Sequence, residues 1–241
     1  MAMLLEEITM SEFQKGLELT RSVIVPFGSV EEHGQHLPLG TDTIHVYELA
    51  RQTAKLRPVF VTAPVWYGLC RSTKQHPGTV GIASETLKAI SKDICLSLYG
   101  HGIRNFVLVS GHAGGTHMAS ILDSADYLTD RLHESRFAVL SILDLVASLP
   151  SGKVETPGDA HAGEVETSLM KYLRPGWVKG TSPREFPSFP KFIIARNKLK
   201  FWPGGVWGDP ACASSEKGKE ILELEAQLLS EIIEELENFQ E

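Results

Sequence analysis

Apolar residues along this chain form two kinds of pattern, short continuous runs and longer stretches with helical spacing. The continuous runs are typical of buried parallel strands and cover Ser22–Pro26, Val59–Val65, Asn105–Val109 and Phe137–Leu143. Stretches with an apolar residue every three or four positions predict helices between and after these strands. We expect those helices at about 43–56, 84–100, 121–132, 163–173 and 216–239. A short first helix should follow the capping-box sequence 9–12.

Strands that alternate with helices in this way indicate an α/β protein. The mainly parallel sheet of such a protein is covered by helices on both faces. The length of 241 residues suits one large domain, so we assign residues 1–241 to a single unit. Segment 175–208 is rich in proline, glycine and aromatic residues, has no clear periodicity and is longer than an ordinary loop. It could form an active-site wall or a contact between subunits.

Ligands of such sheets bind beside the loops that follow the carboxyl ends of the strands. Here those loops are 27–42, 66–83, 110–116 and 144–162. They hold most of the histidines and a group of acids, so we expect the functional site there. The candidate residues are Glu31, Glu32, His33, His36, Asp42, His76, His112, Asp144, Asp159 and His161.

Loop 28–43 concentrates the candidates. Glu31 and His33 are two residues apart, so on an extended segment their side chains point the same way and could serve adjacent metal ions. Asp42 comes just before a predicted helix, where an aspartate is also a common N-cap. A capping role for Asp42 would not explain the acid and the histidine beside it.

Two further segments have both a structural and a functional interpretation. His112 lies among glycines before a helix, an arrangement that also suits a plain turn or an anion cradle. His161, Glu164 and Glu166 open the next helix, where acids complement the helix dipole. In the functional interpretation His161 transfers a proton and one of the two glutamates reaches the metal ions.

Charge and composition narrow the function. The net charge is −7 and the basic residues are scattered, which disfavours nucleic acid and anionic membranes as partners. No apolar run approaches the roughly 18 residues of a membrane helix. The first ten residues have no basic region, unlike a signal peptide. Three irregularly spaced cysteines without a CxxC pair favour a reduced thiol state, and we expect a cytoplasmic protein.

The candidate donors are histidine, aspartate and glutamate, and this set favours a hydrolytic Zn, Mn or Fe(II) site over a structural zinc site. Nucleotide-binding and nucleophile-elbow fingerprints are lacking. The chain resembles the creatininase (creatinine amidohydrolase) family over nearly its whole length. The segments that carry the resemblance are 28–42, 76–79, 110–115, 161–168 and 208–218.

The resemblance implies a three-layer α/β/α fold, two divalent metal ions, and hydrolysis of a C–N bond in a cyclic amide, formamide or related small molecule. By position, Glu31 and His112 resemble ligands of one ion, His33 a ligand of the other, and Asp42 the bridge. Creatininase has a further glutamate ligand where this chain has Gly114. Glu166 is our first candidate to replace it, and Glu164 our second.

The resemblance leaves the substrate open and allows more than one function. Creatininase has tryptophans near its substrate, and the matching segments 142–144 and 156–159 contain none, which argues against creatinine itself. Other branches of the family resemble deformylases, or a peptidase that trims the peptide precursor of a redox cofactor. A non-catalytic metal-binding scaffold and a phosphate-binding protein using loop 111–116 are alternatives from other classes. The family also implies a homo-oligomer, often a hexamer.

Overall fold

The computed structural model describes residues 2–240 and contains a five-stranded sheet. Its strands lie in the order β1-β3-β2-β4-β5, and every neighbouring pair is parallel. The central strands β2 and β4 pair from Ser22 with Asn105 to Phe27 with Ser110, so both end at the same edge. The strands are β1 (Met3–Leu4), β2 (Ser22–Phe27), β3 (Phe60–Val61), β4 (Asn105–Ser110) and β5 (Arg136–Ser141).

Seven α-helices of the described residues cover both faces of the sheet. The helices are α1 (Met10–Gly16), α2 (Thr41–Leu56), α3 (Ser84–Gly100), α4 (Gly115–Thr129), α5 (Ile142–Ala147), α6 (Glu164–Leu173) and α7 (Ser215–Asn238). Side chains alternate along β2: Val23 and Val25 pack with α1, α3 and α4, whereas Ile24 packs with α2, α5, α6 and α7. The predicted three-layer α/β/α architecture with a parallel sheet is therefore confirmed.

Three details differ from the sequence-based prediction. β1 was not predicted, because two residues are too few to show a periodic pattern. The run Val59–Val65 forms only the two-residue strand β3. Pro64 has no N–H group to donate to a neighbouring strand, and the pairing with β2 resumes only as an isolated bridge at Val65.

The predicted strand Phe137–Leu143 ends at Ser141, where α5 begins. The Asp144 carboxylate accepts hydrogen bonds from the backbone and the hydroxyl group of Ser141, both at 2.8 Å. This capping box starts a helix inside an apolar run that otherwise favours a strand.

Segment 175–208 is irregular, as predicted, apart from a short 3-10 turn at Pro175–Trp177. It is nevertheless packed: Trp202 is buried and its Nε1–H group donates to the Val206 carbonyl at 2.7 Å. The Trp202 ring also meets Phe189 and Trp207 edge-on. Among the described residues, no helix combines the length and the apolar character that crossing a bilayer requires.

Candidate metal centre

Six predicted site residues meet at the carboxyl edge of the sheet, although they come from four separate segments. Glu31 and His33 follow β2, Asp42 lies in the first turn of α2, His112 follows β4, and His161 and Glu166 flank the start of α6. All of them except His161 are buried. The parallel register of β2 and β4 brings the first four together, because both strands end side by side.

Asp42 lies at the middle of this group. Its Oδ1 is 2.9 Å from His33 Nε2, and its Oδ2 is 3.2 Å from His112 Nδ1. The Ser29 hydroxyl also donates to Oδ2 at 2.6 Å. The capping interpretation of Asp42 was wrong: the N-cap of α2 is Gly40, and no side chain of residues 2–240 caps this helix. The carboxylate instead faces one histidine with each oxygen.

On one side of Asp42 lie Glu31 and His112, with Glu31 Oε2 2.7 Å from His112 Nδ1. The buried thiol of Cys70 joins them, and the donor atoms of these three residues all lie within 4.8 Å of one another. The Thr73 hydroxyl donates to Glu31 Oε1 and holds that carboxylate in place. Burial and the charges of Glu31 and Asp42 raise the pKa of the Cys70 thiol.

On the other side lie His33, His161 and Glu166, whose donor atoms also fall within 4.8 Å of one another. His33 Nε2 is 3.6 Å from Glu166 Oε2, and the rings of His33 and His161 are 4.3 Å apart between centroids. The backbone N–H of Ala162 donates to Glu166 Oε2. Together the two groups form one cluster divided by Asp42.

Backbone carbonyls orient two of the histidines. His33 Nδ1–H donates to the Glu31 carbonyl at 3.0 Å, and His112 Nε2–H donates to the Leu69 carbonyl at 3.3 Å. Each ring then presents its other nitrogen to the carboxylates, which is how metal-binding histidines are usually held. Donors at about 2.0–2.1 Å from a tetrahedral ion lie about 3.3 Å apart. The separations of 2.7 to 3.6 Å suit such a site.

The electrostatics of the cluster also favour cations. Burial alone would lower the pKa of His33, but Asp42 and Glu166 outweigh it and raise that pKa to about 10. Burial likewise opposes ionisation of Glu31, yet His112 lowers its pKa to about 2. Three buried carboxylates thus hold protons on the neighbouring rings, and positive metal ions could take the place of those protons.

Glu164 points away from this cluster. Its carboxylate accepts from Lys217 Nζ at 2.7 Å and from the backbone amides of Glu155 and Thr156. The two glutamates at the start of α6 therefore differ: Glu166 faces His33, and Glu164 ties α6 to α7. Of these two glutamates, Glu166 is the one whose carboxylate lies beside the other ligand candidates.

The remaining loop candidates have structural partners. Asp144 caps α5, and Asp159 accepts from the backbone amides of Glu164 and Val165 at the start of α6. Burial and the charges of the two nearby glutamates raise the pKa of Asp159 to about 6.

Two histidine candidates are also held by structural partners. His36 is enclosed, with its two ring nitrogens 2.9 and 2.8 Å from the hydroxyls of Ser182 and Thr167. His76 Nε2 lies 2.8 Å from the Trp202 carbonyl oxygen.

His161 is held between the irregular segment and loop 28–42. Its Nε2–H donates to the Glu32 carbonyl at 2.8 Å, and the Trp202 ring meets it edge-on at 5.2 Å. Its backbone pairs with Trp207, with N–O distances of 3.1 and 2.7 Å. The Glu32 carboxylate lies 3.5 Å from Nε2, and its Oε1 atom is buried without a hydrogen-bond partner in the described part of the chain.

Sequence reasoning missed several contributors to this cluster. Ser29, Thr73 and the Leu69 carbonyl hold the ligand candidates, and Cys70 adds a sulfur donor. Cys70 and Thr73 do lie in the predicted loop 66–83, but neither has a recognisable spacing to a histidine or acid. Their position on a strand-end loop was the only available signal.

The chain is similar to known proteins over most of its length. Residues 6–233 match the family model described as creatininase, creatinine amidohydrolase. The creatinine amidohydrolase of Pseudomonas putida is 28% identical and covers 95% of each chain. A mycofactocin precursor peptide peptidase of Mycobacterium tuberculosis is 29% identical over 83% of this chain and 79% of its own. A 3-dehydro-scyllo-inosose hydrolase of Thermotoga maritima is 25% identical over 96% of this chain and 82% of its own.

Solved structures have the same fold. A creatininase variant described as Zn-Zn type superposes with a TM-score of 0.86 at 25% identity, covering 97% of this chain and 98% of that one. A manganese form of creatininase superposes with a TM-score of 0.87 at 24% identity, covering 98% of both chains. The relatives named above are all hydrolases. Because the family match spans almost the whole chain and the fold agrees, the protein belongs to the creatininase family.

Proposed function

We propose that this protein cleaves a C–N amide bond of a small molecule with a hydroxide activated at a binuclear metal centre. The position of Asp42 is the main support, because each of its oxygens faces a different donor group. In this proposal Glu31 and His112 would hold one ion, His33 and Glu166 would hold the other, and Asp42, which lies between the two groups, would serve as the bridging residue. Carboxylate bridges are usual in two-metal hydrolases.

Two divalent ions held there would lower the pKa of a bound water toward about 7 and polarise a substrate carbonyl. The side chains of the protein would provide the negative charge, the positioning and the proton transfer. Three buried carboxylates keep the site anionic, and the hydroxyls of Ser29 and Thr73 hold two of them in place. His161 lies against the His33 ring and is the residue we assign to protonate the departing nitrogen. Glu166 would take part in this proton transfer if it is not a ligand of the second ion.

The substrate class rests on the relatives and on the wall beside the site. The names amidohydrolase and peptidase both denote hydrolysis of a C–N bond. Two tryptophans of the irregular segment contact His161: Trp202 through its ring and Trp207 through its backbone. We propose a small cyclic amide or formamide as substrate, with Zn, Mn or Fe as the metal. The mycobacterial relative favours a second candidate, a peptidase acting on a short cofactor-precursor peptide.

Two alternatives from other classes receive less support. The ring of His112 in loop 111–116 lies within 3.2 Å of two carboxylates, a poor environment for phosphate. A non-catalytic scaffold need not keep five convergent ligand candidates. Homo-oligomer formation, with a hexamer as the family implies, and a cytoplasmic location remain predictions.

The test combines metal analysis with a substrate screen. We expect purified protein to bind two divalent ions per chain. It should hydrolyse at least one member of a panel of formamides, lactams, creatinine and short peptides, and a chelator should abolish this activity. His112→Ala should lose both properties, whereas His133→Ala, at an exposed histidine remote from the cluster, should keep both.

Three outcomes would contradict the proposal. Full metal content and activity in His112→Ala would show that the ligand assignment is wrong. Metal binding without hydrolysis of any amide class would favour the scaffold. Phosphate binding without metal would favour the phosphate-binding alternative.

A further inference from the structure

A thiol lies among the donors on one side of the cluster. Cys70 is buried, and its sulfur falls in the same group as the donor atoms of Glu31 and His112, all within 4.8 Å of one another. The other two cysteines lie elsewhere: Cys95 is a buried core residue of α3, and Cys212 is partly exposed before α7. Cys70 is therefore the cysteine whose surroundings resemble a metal site.

The backbone around Cys70 is attached to the neighbouring ligand candidates on both sides. The residue before it, Leu69, accepts from His112 Nε2–H at 3.3 Å and donates its N–H to His117 Nδ1 at 3.1 Å. Three residues after it, the Thr73 hydroxyl donates to Glu31 Oε1. These contacts hold the loop in place relative to Glu31 and His112. The Cys70 side chain is therefore attached to a backbone whose position is fixed at both ends.

The two halves of the cluster differ in donor chemistry. The group around His33, His161 and Glu166 offers only nitrogen and oxygen, whereas the group around Glu31 and His112 adds sulfur. Thiolate ligands favour soft ions such as Zn²⁺, and carboxylate-rich sites suit Mn²⁺. The two ion positions should therefore have different metal preferences.

We propose that Cys70 is a thiolate ligand of the ion held by Glu31 and His112, and that it makes this position selective for zinc over manganese. The inference rests on the proposed function, because it requires that ion to bind. On binding, the S–H bond breaks, its proton passes to solvent, and the sulfur electron pair forms the bond to the ion. No oxidant or reductant is needed.

Cobalt(II) substitution tests the sulfur–metal bond directly, since a thiolate bound to Co²⁺ gives an intense near-ultraviolet charge-transfer band. We expect this band in cobalt-loaded wild-type protein and its loss in Cys70→Ser. The matched control is Cys95→Ala/Cys212→Ser, which leaves Cys70 as the only cysteine and should keep the band.

Competition with a chelator measures the selectivity. Zinc affinity at this position should fall at least about 10-fold in Cys70→Ser, the lower end of what loss of even an outer-shell partner costs. Manganese affinity should change less, because an oxygen donor replaces the sulfur at a site that already has carboxylates.

X-ray absorption of the zinc-loaded wild-type protein gives a readout that needs no variant. A sulfur neighbour at about 2.3 Å supports the inference, and a shell of only nitrogen and oxygen at about 2.0–2.2 Å overturns it. Cobalt bound without the charge-transfer band, or a band that persists in Cys70→Ser, also overturns it while leaving the proposed function intact. Wild-type protein that binds no divalent ion overturns the proposed function and this inference together.

Discussion

Two buried groups of histidine and carboxylate lie one helical turn apart on α2. Asp42 belongs to the candidate metal centre, where it contacts His33 and His112. His45 instead pairs with Glu225 of α7 at 2.7 Å, and both side chains are at most 1% exposed. The same residue types in the same layer of the fold thus occur as a convergent cluster and as an isolated pair.

The number of partners separates these two groups. The His45–Glu225 pair contains one base and one acid, and their single contact ties α2 to α7. The other polar atom of each side chain, His45 Nδ1 and Glu225 Oε1, is buried without a hydrogen-bond partner among the described residues. In the centre, Asp42 faces two rings and the His112 ring faces two carboxylates. Several lone pairs of these carboxylates and rings therefore point into the same space. A divalent cation can bind several of them at once, whereas a proton can be shared by only two. Convergence, rather than burial alone, distinguishes a metal site from a buried ion pair.

Removing the charge of Asp42 should have the largest effect. We expect Asp42→Asn to weaken the binding of both ions and to lower kcat/KM by about 10³–10⁴-fold, because metal stabilisation is worth several kcal/mol. Plasma emission measurements of metal content and steady-state kinetics would test this. Asp144→Asn, in the α5 capping box, is the control and should keep both ions. If Asp42→Asn still binds two ions tightly, Asp42 is not required for metal binding, and the distinction between the metal centre and the His45–Glu225 pair is wrong.

Breaking the isolated pair should affect stability and leave metal binding intact. His45→Ala leaves the Glu225 carboxylate buried without its partner. We expect a loss of about 3–5 kcal/mol in the free energy of unfolding, measured by denaturant titration. Glu225→Gln should cost less, since the neutral ring can still form a hydrogen bond. Loss of an ion in His45→Ala would mean that the pair belongs to the centre.

The two glutamates of α6 sharpen the comparison on a neighbouring helix. Glu166→Gln should remove one of the two ions, because Glu166 faces His33. Glu164→Gln should keep both ions and lose about 1.5–3 kcal/mol of stability, the value of a hydrogen bond to a charged group, here Lys217. Titrating metal into both variants and measuring their unfolding would test this. The reverse pattern would exchange the roles that we assign to these glutamates.

The smallest expected effect is a pH dependence of the isolated pair. Burial opposes a charge on His45, but Glu225 outweighs it and raises the His45 pKa above the ordinary value of 6.5. The pair therefore stabilises the fold fully below about pH 6.5, and this contribution is lost as the pH rises through the folded-state pKa. The stability difference between wild type and His45→Gln, measured without metal between about pH 6 and pH 9, should shrink as pH rises. A difference that grows with pH would contradict the raised pKa.

Much of the fold could be predicted from the sequence because its signals are local. The apolar runs of β2 and β4 and the helical spacing in α3 and α7 identify those elements within a few residues. The prediction failed at β1 and β3, where two-residue strands depend on the neighbouring strand rather than on their own pattern. It also failed at Ile142, where a side-chain cap overrides an apolar run.

For the candidate site, too, some residues could be predicted from the sequence and others could not. Motifs around Glu31, His33, Asp42 and His112 could be read from the sequence, and the structure brings these residues together. The choice between Glu164 and Glu166 could not be made, because both suit a helix start and only the packing of α7 engages Glu164 through Lys217. Cys70 could not be recognised either, since Glu31 and His112, the two candidates that it joins, are about forty residues away on either side.

The sequence by itself determined the parallel α/β architecture, the strand-end loops that carry the chemistry, and most of the ligand candidates, because these depend on periodicity and on short motifs. Only the tertiary structure decided which donors converge, that Asp42 faces two histidines rather than capping α2, and that a thiol joins one side. Those features depend on the register of β2 against β4 and on the packing of α6 and α7, which place residues far apart in the chain within a few ångströms of one another.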